Sequence, residues 1–322
     1  MTHRPSLALF VPLLLTCLLP APLTSQSKGT KEFTIKVDDK ERGYILHVPS
    51  KYQSKGRKKV ALVLMLHGRG SSGKQASSSY YGWTKMANKE GFIAAFPDAI
   101  GKPTSWKAAW GRSSTEDGAF LSALIDKLLK EYRIDPKKVF MTGHSSGGIM
   151  SFSFAATHSG KVAAIGPVAG SIGYGRATIP KPKGPVRVIS FHGMADKIVA
   201  YDKNTKSAYP GMVSAPDSAA FWAKANGCSQ EPKRKDIKSR KVHIDSWNDC
   251  KPGGEVVFYS IEKGSHGWPT GSLKATELIW EFFEETSLIP GKKTSELEEL
   301  IEAEEGQSRR PDKDRTPSPS PR

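Results

Sequence analysis

The chain has 322 residues, 38% hydrophobic and 25% charged, with a formal net charge of +16. That length suits one large α/β domain or two smaller ones. No segment after the first 25 residues is apolar for long enough to span a membrane, and the basic runs at 55–59 and 233–241 carry no interleaved aromatics. Those runs read as solvated loops, which excludes a nucleic-acid groove.

At the N-terminus Arg4 precedes an apolar run over 7–19, followed by Pro20, Ala21, Pro22, Leu23, Thr24 and Ser25. This pattern predicts a secretory signal peptide over 1–25, cleaved near Ser25, and hence an extracellular protein. Of the three cysteines Cys17 leaves with the signal, so Cys228 and Cys250 remain as one even pair in an oxidising compartment and are expected to be bridged.

Next come two alternating apolar runs, 33–37 and 44–48, joined by Asp38, Asp39 and Lys40, which predict an antiparallel hairpin. The continuous apolar run 60–66 marks a strand buried on both faces of a parallel sheet. A helix is predicted over 80–90 and a second buried strand over 92–96. Residues 101–114 read as a loop carrying Trp106 and Trp110. Phe120, Leu121, Leu124, Ile125, Leu128 and Leu129 recur at helical spacing within 116–132. A strand from Val139 runs into Gly143-His144-Ser145-Ser146-Gly147, with helix-like composition after it. Strands follow over 162–168, 186–191 and 256–261, and helices over 215–225 and 273–285.

Buried strands alternating with helices predict a mostly parallel sheet with helices on both faces, over a domain spanning 26–290. Beyond it, residues 296–305 read as a short acidic helix with nothing in the sequence to pack it. The rest, rich in Ser, Pro, Arg and Asp, reads as disordered, so 291–322 is expected to be a tail. The tail holds seven Lys and Arg against eight acids, and the net +16 therefore belongs to the domain.

The chemistry is sought around Gly-x-Ser-x-Gly. Strand, sharp turn and helix are the setting in which that pattern exposes a serine hydroxyl above a sheet edge, and the glycine spacing selects Ser145. A serine hydroxyl needs a base to take its proton and an acid to orient the base. In the α/β-hydrolase fold, which this elbow within a doubly covered parallel sheet predicts, they follow in the order serine, acid, histidine, each after a strand. Asp196 follows the strand 186–191, and His266 follows the strand 256–261. Asp202 and Asp217 lie farther from a strand end. Oxyanion donors are expected from the amide of Ser146 and from the loop after 60–66, with Arg69 placed ahead of Gly70; His67 is expected to hold that loop. Trp268, Trp106 and Trp110 are candidates to line a substrate pocket. No metal or cofactor is expected. The stretch 68–74 also fits Gly-x4-Gly-Lys, but a phosphate loop would continue with Ser or Thr where this chain has Gln75.

With these residues in place the chain resembles the exported esterases that include polyhydroxybutyrate depolymerases and feruloyl or acetylxylan esterases. The resemblance is carried by Leu66-His67-Gly68, Phe96-Pro97-Asp98, Asp117-Gly118-Ala119-Phe120, Tyr132-Arg133-Ile134-Asp135-Pro136, the serine elbow, His192-Gly193-Met194-Ala195-Asp196, Asn226-Gly227-Cys228 and Gly264-Ser265-His266-Gly267-Trp268-Pro269. It implies Ser145 as nucleophile, Asp196 as acid, His266 as base and a Cys228–Cys250 bridge. The substrate it implies is an ester, feruloyl or acetyl and polysaccharide-linked, with a hydroxybutyrate polyester as the alternative.

Overall fold

The computed structural model describes residues 28–109, 115–173, 180–204, 208, 212–229 and 231–285. The expected signal peptide, the tail 291–322 and Trp110 lie outside the described residues.

The run Val60–Leu66 forms strand β3, and its residues divide as an extended chain requires. Leu62, Leu64 and Leu66 enter one apolar core, whereas Val63 and Met65 enter the other. A strand hydrophobic at every position is therefore a strand covered twice. The first core is closed by α3 (Glu116–Glu131), α4 (Ser146–Thr157) and α5 (Ala215–Ala225). The second is closed by α2 (Trp83–Glu90) and α6 (Ala275–Glu285).

Ten strands form one sheet. Besides β3 they are β1 (Gly29–Val37), β2 (Lys40–Val48), β4 (Ile93–Pro97), β5 (Ile134–His144), β6 (Ala164–Val168), β7 (Arg187–Gly193), β8 (Lys233–Ile237), β9 (Val242–Trp247) and β10 (Val256–Ile261). Their order is β1-β2-β4-β3-β5-β6-β7-β10-β9-β8. The six from β4 to β10 are parallel; β1 and β2 close one edge and β9 and β8 the other, all antiparallel. With connections on both faces this is the α/β-hydrolase fold, as expected.

One stretch departs from the reading. Residues 233–241 are not a loop throughout: Lys233–Ile237 is the edge strand β8, paired to β9. Four of its five residues are polar, which is how an exposed sheet edge resists pairing with another chain. A one-turn helix, α1 (Gly73–Ala76), was also not foreseen.

Cys228 and Cys250 are bridged, tying the end of α5 to the turn after β9. The clamp is reinforced by Ser229 N–H donating to Asp249 O at 2.9 Å and Lys251 N–H to Asn226 O at 3.2 Å. Reduction is expected to lower unfolding free energy by about 3 kcal/mol, the loop-closure value for a bridge of this span. Denaturant melts with and without reductant check this; an unchanged midpoint would leave the bridge without a stabilising role.

Candidate active site

Ser145 stands between β5 and α4 with φ 56° and ψ −119°, a conformation that L-residues rarely hold. Such a backbone costs on the order of 1–3 kcal/mol and persists only where its surroundings enforce it. They do so here by close approach. A Cβ on Gly147 would lie 2.2 Å from Leu66 O and 2.7 Å from His67 O. Only glycine lets the first turn of α4 press against the loop leaving β3. Ser145 N–H is held by Val168 O at 2.9 Å, fixing the turn to β6.

The acid and the histidine meet because their strands are neighbours. β7 and β10 run parallel, with His192 opposite Ser260 and Gly193 opposite Ile261. Beyond the ladder, Met194 N–H donates to Ile261 O and Ala195 N–H to Gly264 O, each at 2.9 Å. A Cβ on Gly193 would sit 2.2 Å from Gly264 O, so the two loops touch backbone to backbone. Asp196 on one and His266 on the other are thereby brought together.

Their geometry is that of a proton relay. Asp196 Oδ2 lies 2.7 Å from His266 Nδ1, and His266 Nε2 lies 2.8 Å from Ser145 Oγ. An ionised carboxylate can only accept, so Nδ1 carries the ring proton and donates. Nε2 is left to accept from the Ser145 hydroxyl. Asp196 is fully buried. Burial alone would raise its pKa, but hydrogen bonds from His192 and His266 and their nearby charge hold it well below the usual carboxylate range. Its other oxygen, Oδ1, accepts from the amides of Ile198 at 2.8 Å and Val199 at 3.0 Å. The carboxylate is thus pinned and charged. Asp202 instead caps a turn at Asn204 N–H, and Asp217 sits in the first turn of α5.

The loop after β3 behaves as expected of His67. It is fully buried, donating from Nδ1 to Gly68 O at 2.7 Å while Nε2 accepts from Ala99 N–H at 3.0 Å. Burial pushes its pKa down, consistent with a neutral, structural ring. Arg69 and Gly70 follow it. Gly70 N–H is spent on Thr104 O at 2.8 Å, which removes it as an oxyanion donor and leaves Arg69. Ser146 is the first residue of α4, where backbone N–H groups have no partner within the helix.

The tryptophans are less open than a pocket lining suggests. Trp106 is 6% exposed and Trp268 3%. Trp106 Nε1–H donates to His67 O at 2.9 Å, and Trp268 Nε1–H to Thr276 Oγ1 at 3.0 Å. Both steady loops that carry the site. The exposed large side chains near it are Tyr80, Met194 and Ile198. Tyr80 Oη accepts from Trp268 N–H at 3.4 Å, while the ring of Tyr81 packs edge-on against Trp268 at 5.1 Å.

Sequence reading passed over His144, one residue before the serine. Its ring centre lies 5.2 Å from that of His266 and 6.4 Å from that of Trp268. Burial, and then the charge of His266, lower its pKa to about 4. An unfolded histidine titrates near 6.5, so between those values the unfolded chain binds the extra proton. Stability from this group is therefore complete above about pH 6.5 and lost as pH falls towards 4, at most about 3 kcal/mol. His144→Gln is expected to flatten the decline of unfolding free energy between pH 6.5 and 4; an unchanged slope would place the acid sensitivity elsewhere.

The phosphate-loop reading meets an acid. Asp98 Oδ1 accepts from Gly73 N–H at 2.6 Å, putting a carboxylate at the amide a phosphate would require. Among the described residues no cluster of metal-ligating side chains occurs, and no helix is long and apolar enough to cross a membrane.

Fold and site together define an α/β-hydrolase with a Ser–His–Asp hydrogen-bonded chain. No family model matches the sequence. The chain is 25% identical over 223 residues to a bifunctional acetylxylan esterase/xylanase from Neocallimastix patriciarum, covering 69% of this chain and 30% of that one. It is 27% identical over 259 residues to feruloyl esterase B from Piromyces equi, covering 77% and 46%. It thus spans about a third to a half of these curated relatives' length. Among solved structures, the acetyl xylan esterase from Aspergillus awamori superposes with a TM-score of 0.60 at 16% identity, covering 79% of this chain and 99% of that one. The resemblance to feruloyl and acetylxylan esterases carried by the motifs thus recurs in relatives named for those activities, and the solved structure bears out the fold.

Proposed function

We propose that this chain is a secreted serine carboxylesterase acting on feruloyl or acetyl esters of plant polysaccharide. The observation that carries the reading is the unbroken Asp196–His266–Ser145 chain at 2.7 Å and 2.8 Å. As Ser145 Oγ attacks the ester carbonyl, its proton passes to His266 Nε2. Asp196 keeps the imidazole in the tautomer that can receive it and stabilises the imidazolium formed. The tetrahedral oxyanion takes hydrogen bonds from the amides of Ser146 and Arg69, donors fixed before the charge develops. The imidazolium then protonates the leaving alcohol. Water deprotonated by His266 releases the acid from the acyl-enzyme. Every proton in the cycle moves through His266, and the residues named supply all its groups.

The names of the relatives support the choice of ester. Secretion rests on the pattern of residues 1–25. Tyr80, Met194 and Ile198 are assigned to the rim that meets the substrate, with Trp106 and Trp268 supporting it from below.

A panel of methyl ferulate, acetylated xylan and polyhydroxybutyrate on one preparation tests the proposal. Methyl ferulate or acetylated xylan is expected to give the highest kcat/KM. Preferential release of hydroxybutyrate would replace the polysaccharide ester by a polyester. No hydrolysis of any of the three would remove the esterase reading.

A further inference from the structure

At the end of the sheet away from Ser145, where β3 and β5 begin, a cavity of about 370 Å³ opens between α6 and the strands. Its apolar lining includes Phe92, Phe140 and Trp280, with Phe92 and Trp280 stacked at 4.1 Å. Trp280 is 6% exposed, and its indole N–H is buried without a hydrogen-bond partner. Lys58, Lys59 and Lys138 stand at the rim and make no ion pair among the described residues. Lys51 also lines it, donating to Lys89 O. Of the two carboxylates there, Glu90 is paired with Lys89 at 3.0 Å, and Glu284 is the other. The cavity is therefore ringed by basic side chains, over aromatic side chains already packed into the core, Phe92 and Phe140 each 1% exposed. An occupant must bring carboxylates.

The chain itself holds such a segment. Residues 296–305 read Glu-Leu-Glu-Glu-Leu-Ile-Glu-Ala-Glu-Glu: six carboxylates, with Leu297, Leu300 and Ile301 at the i, i+3, i+4 spacing of one helical face. It follows α6 after ten residues, 286–295, which reach about 33 Å when extended. α6 supplies Trp280 and Glu284 to the cavity wall, so the link begins beside its target. A tether that short holds the segment at an effective concentration of roughly millimolar, enough to populate a weak contact.

We propose that the acidic segment 296–305 docks at this cavity, its carboxylates on Lys58, Lys59 and Lys138. The contact straps the end of α6 to the beginnings of β3 and β5. The site around Ser145 stays open, because it lies at the opposite ends of the same strands.

Two readouts on the full-length chain test this. Carbodiimide coupling of carboxylates to lysines, mapped by mass spectrometry at low salt, is expected to join 296–305 mainly to Lys58, Lys59 and Lys138. The yield should fall about tenfold in 1 M salt, where charge interactions are screened within about 3 Å. Links spread evenly over the chain's exposed lysines, or running between two chains, would overturn the proposal. In the second readout the amides of 297–304 exchange hydrogen more slowly than in a free peptide. Lys58→Glu, Lys59→Glu and Lys138→Glu together should abolish that protection, and adding Glu298→Lys, Glu299→Lys and Glu302→Lys should restore it. Free-peptide exchange in the unaltered chain, or charge reversal without restoration, would sink the assignment.

Discussion

Ser145→Ala is expected to lower kcat on a short p-nitrophenyl ester by about 10⁶-fold, the loss seen when a serine nucleophile is removed from such a relay. The folded state should be little affected. Alanine at 145 faces the same φ of 56° as serine, and the backbone bonds that impose it, Ser145 N–H to Val168 O and Ile149 N–H to Ser145 O, do not involve the hydroxyl. Activity and melting temperature therefore separate: the first collapses and the second holds. Substantial activity in a variant that melts normally would move the nucleophile to another residue.

Asp196→Asn is expected to cost about 10⁴-fold in kcat, for a reason the contacts around it make specific. Oδ1 accepts from two backbone amides and Oδ2 accepts from His266, so both positions require an acceptor. An asparagine has one oxygen. Turned to satisfy Ile198 and Val199, it presents an NH₂ to His266 Nδ1. The ring then carries its proton on Nε2, where it donates to Ser145 instead of receiving from it. Turned the other way, it opposes two buried N–H groups and destabilises the loop. Either outcome lowers kcat, whereas the second also lowers the melting temperature. Steady-state kinetics with a thermal melt tells them apart; full activity with a normal melt would show that the carboxylate does not orient the base.

The positions of these three residues were legible because each follows a strand rich in apolar residues. β5, β7 and β10 announce themselves by composition, so the loops after them could be searched in order. The pairing of β7 with β10, which brings Asp196 to His266, was not legible. It is a parallel ladder between segments far apart in the chain, Val188 to Gly193 against Val256 to Ile261, extended by the contact of Gly193 with Gly264. The β8–β9 hairpin was missed for the opposite reason: an edge strand reading Lys-Arg-Lys-Asp-Ile has no apolar period to find. Trp106 and Trp268 look like pocket residues in a sequence, yet the partners that hold them inside, His67 O and Thr276 Oγ1, appear only in three dimensions. His144 and Tyr81 escaped notice because their significance lies in ring contacts with His266 and Trp268. The cysteine pair, by contrast, needed only the inference of export and an even count.

The most direct test of the central claim is to treat the full-length protein with an organophosphonate and map the adduct by peptide mass spectrometry. Phosphonylation should fall on Ser145 alone and should be lost in His266→Ala, because the hydroxyl attacks phosphorus only when its proton has somewhere to go. An adduct on a different serine, or undiminished labelling of Ser145 without the histidine, would contradict the relay on which the proposed function depends.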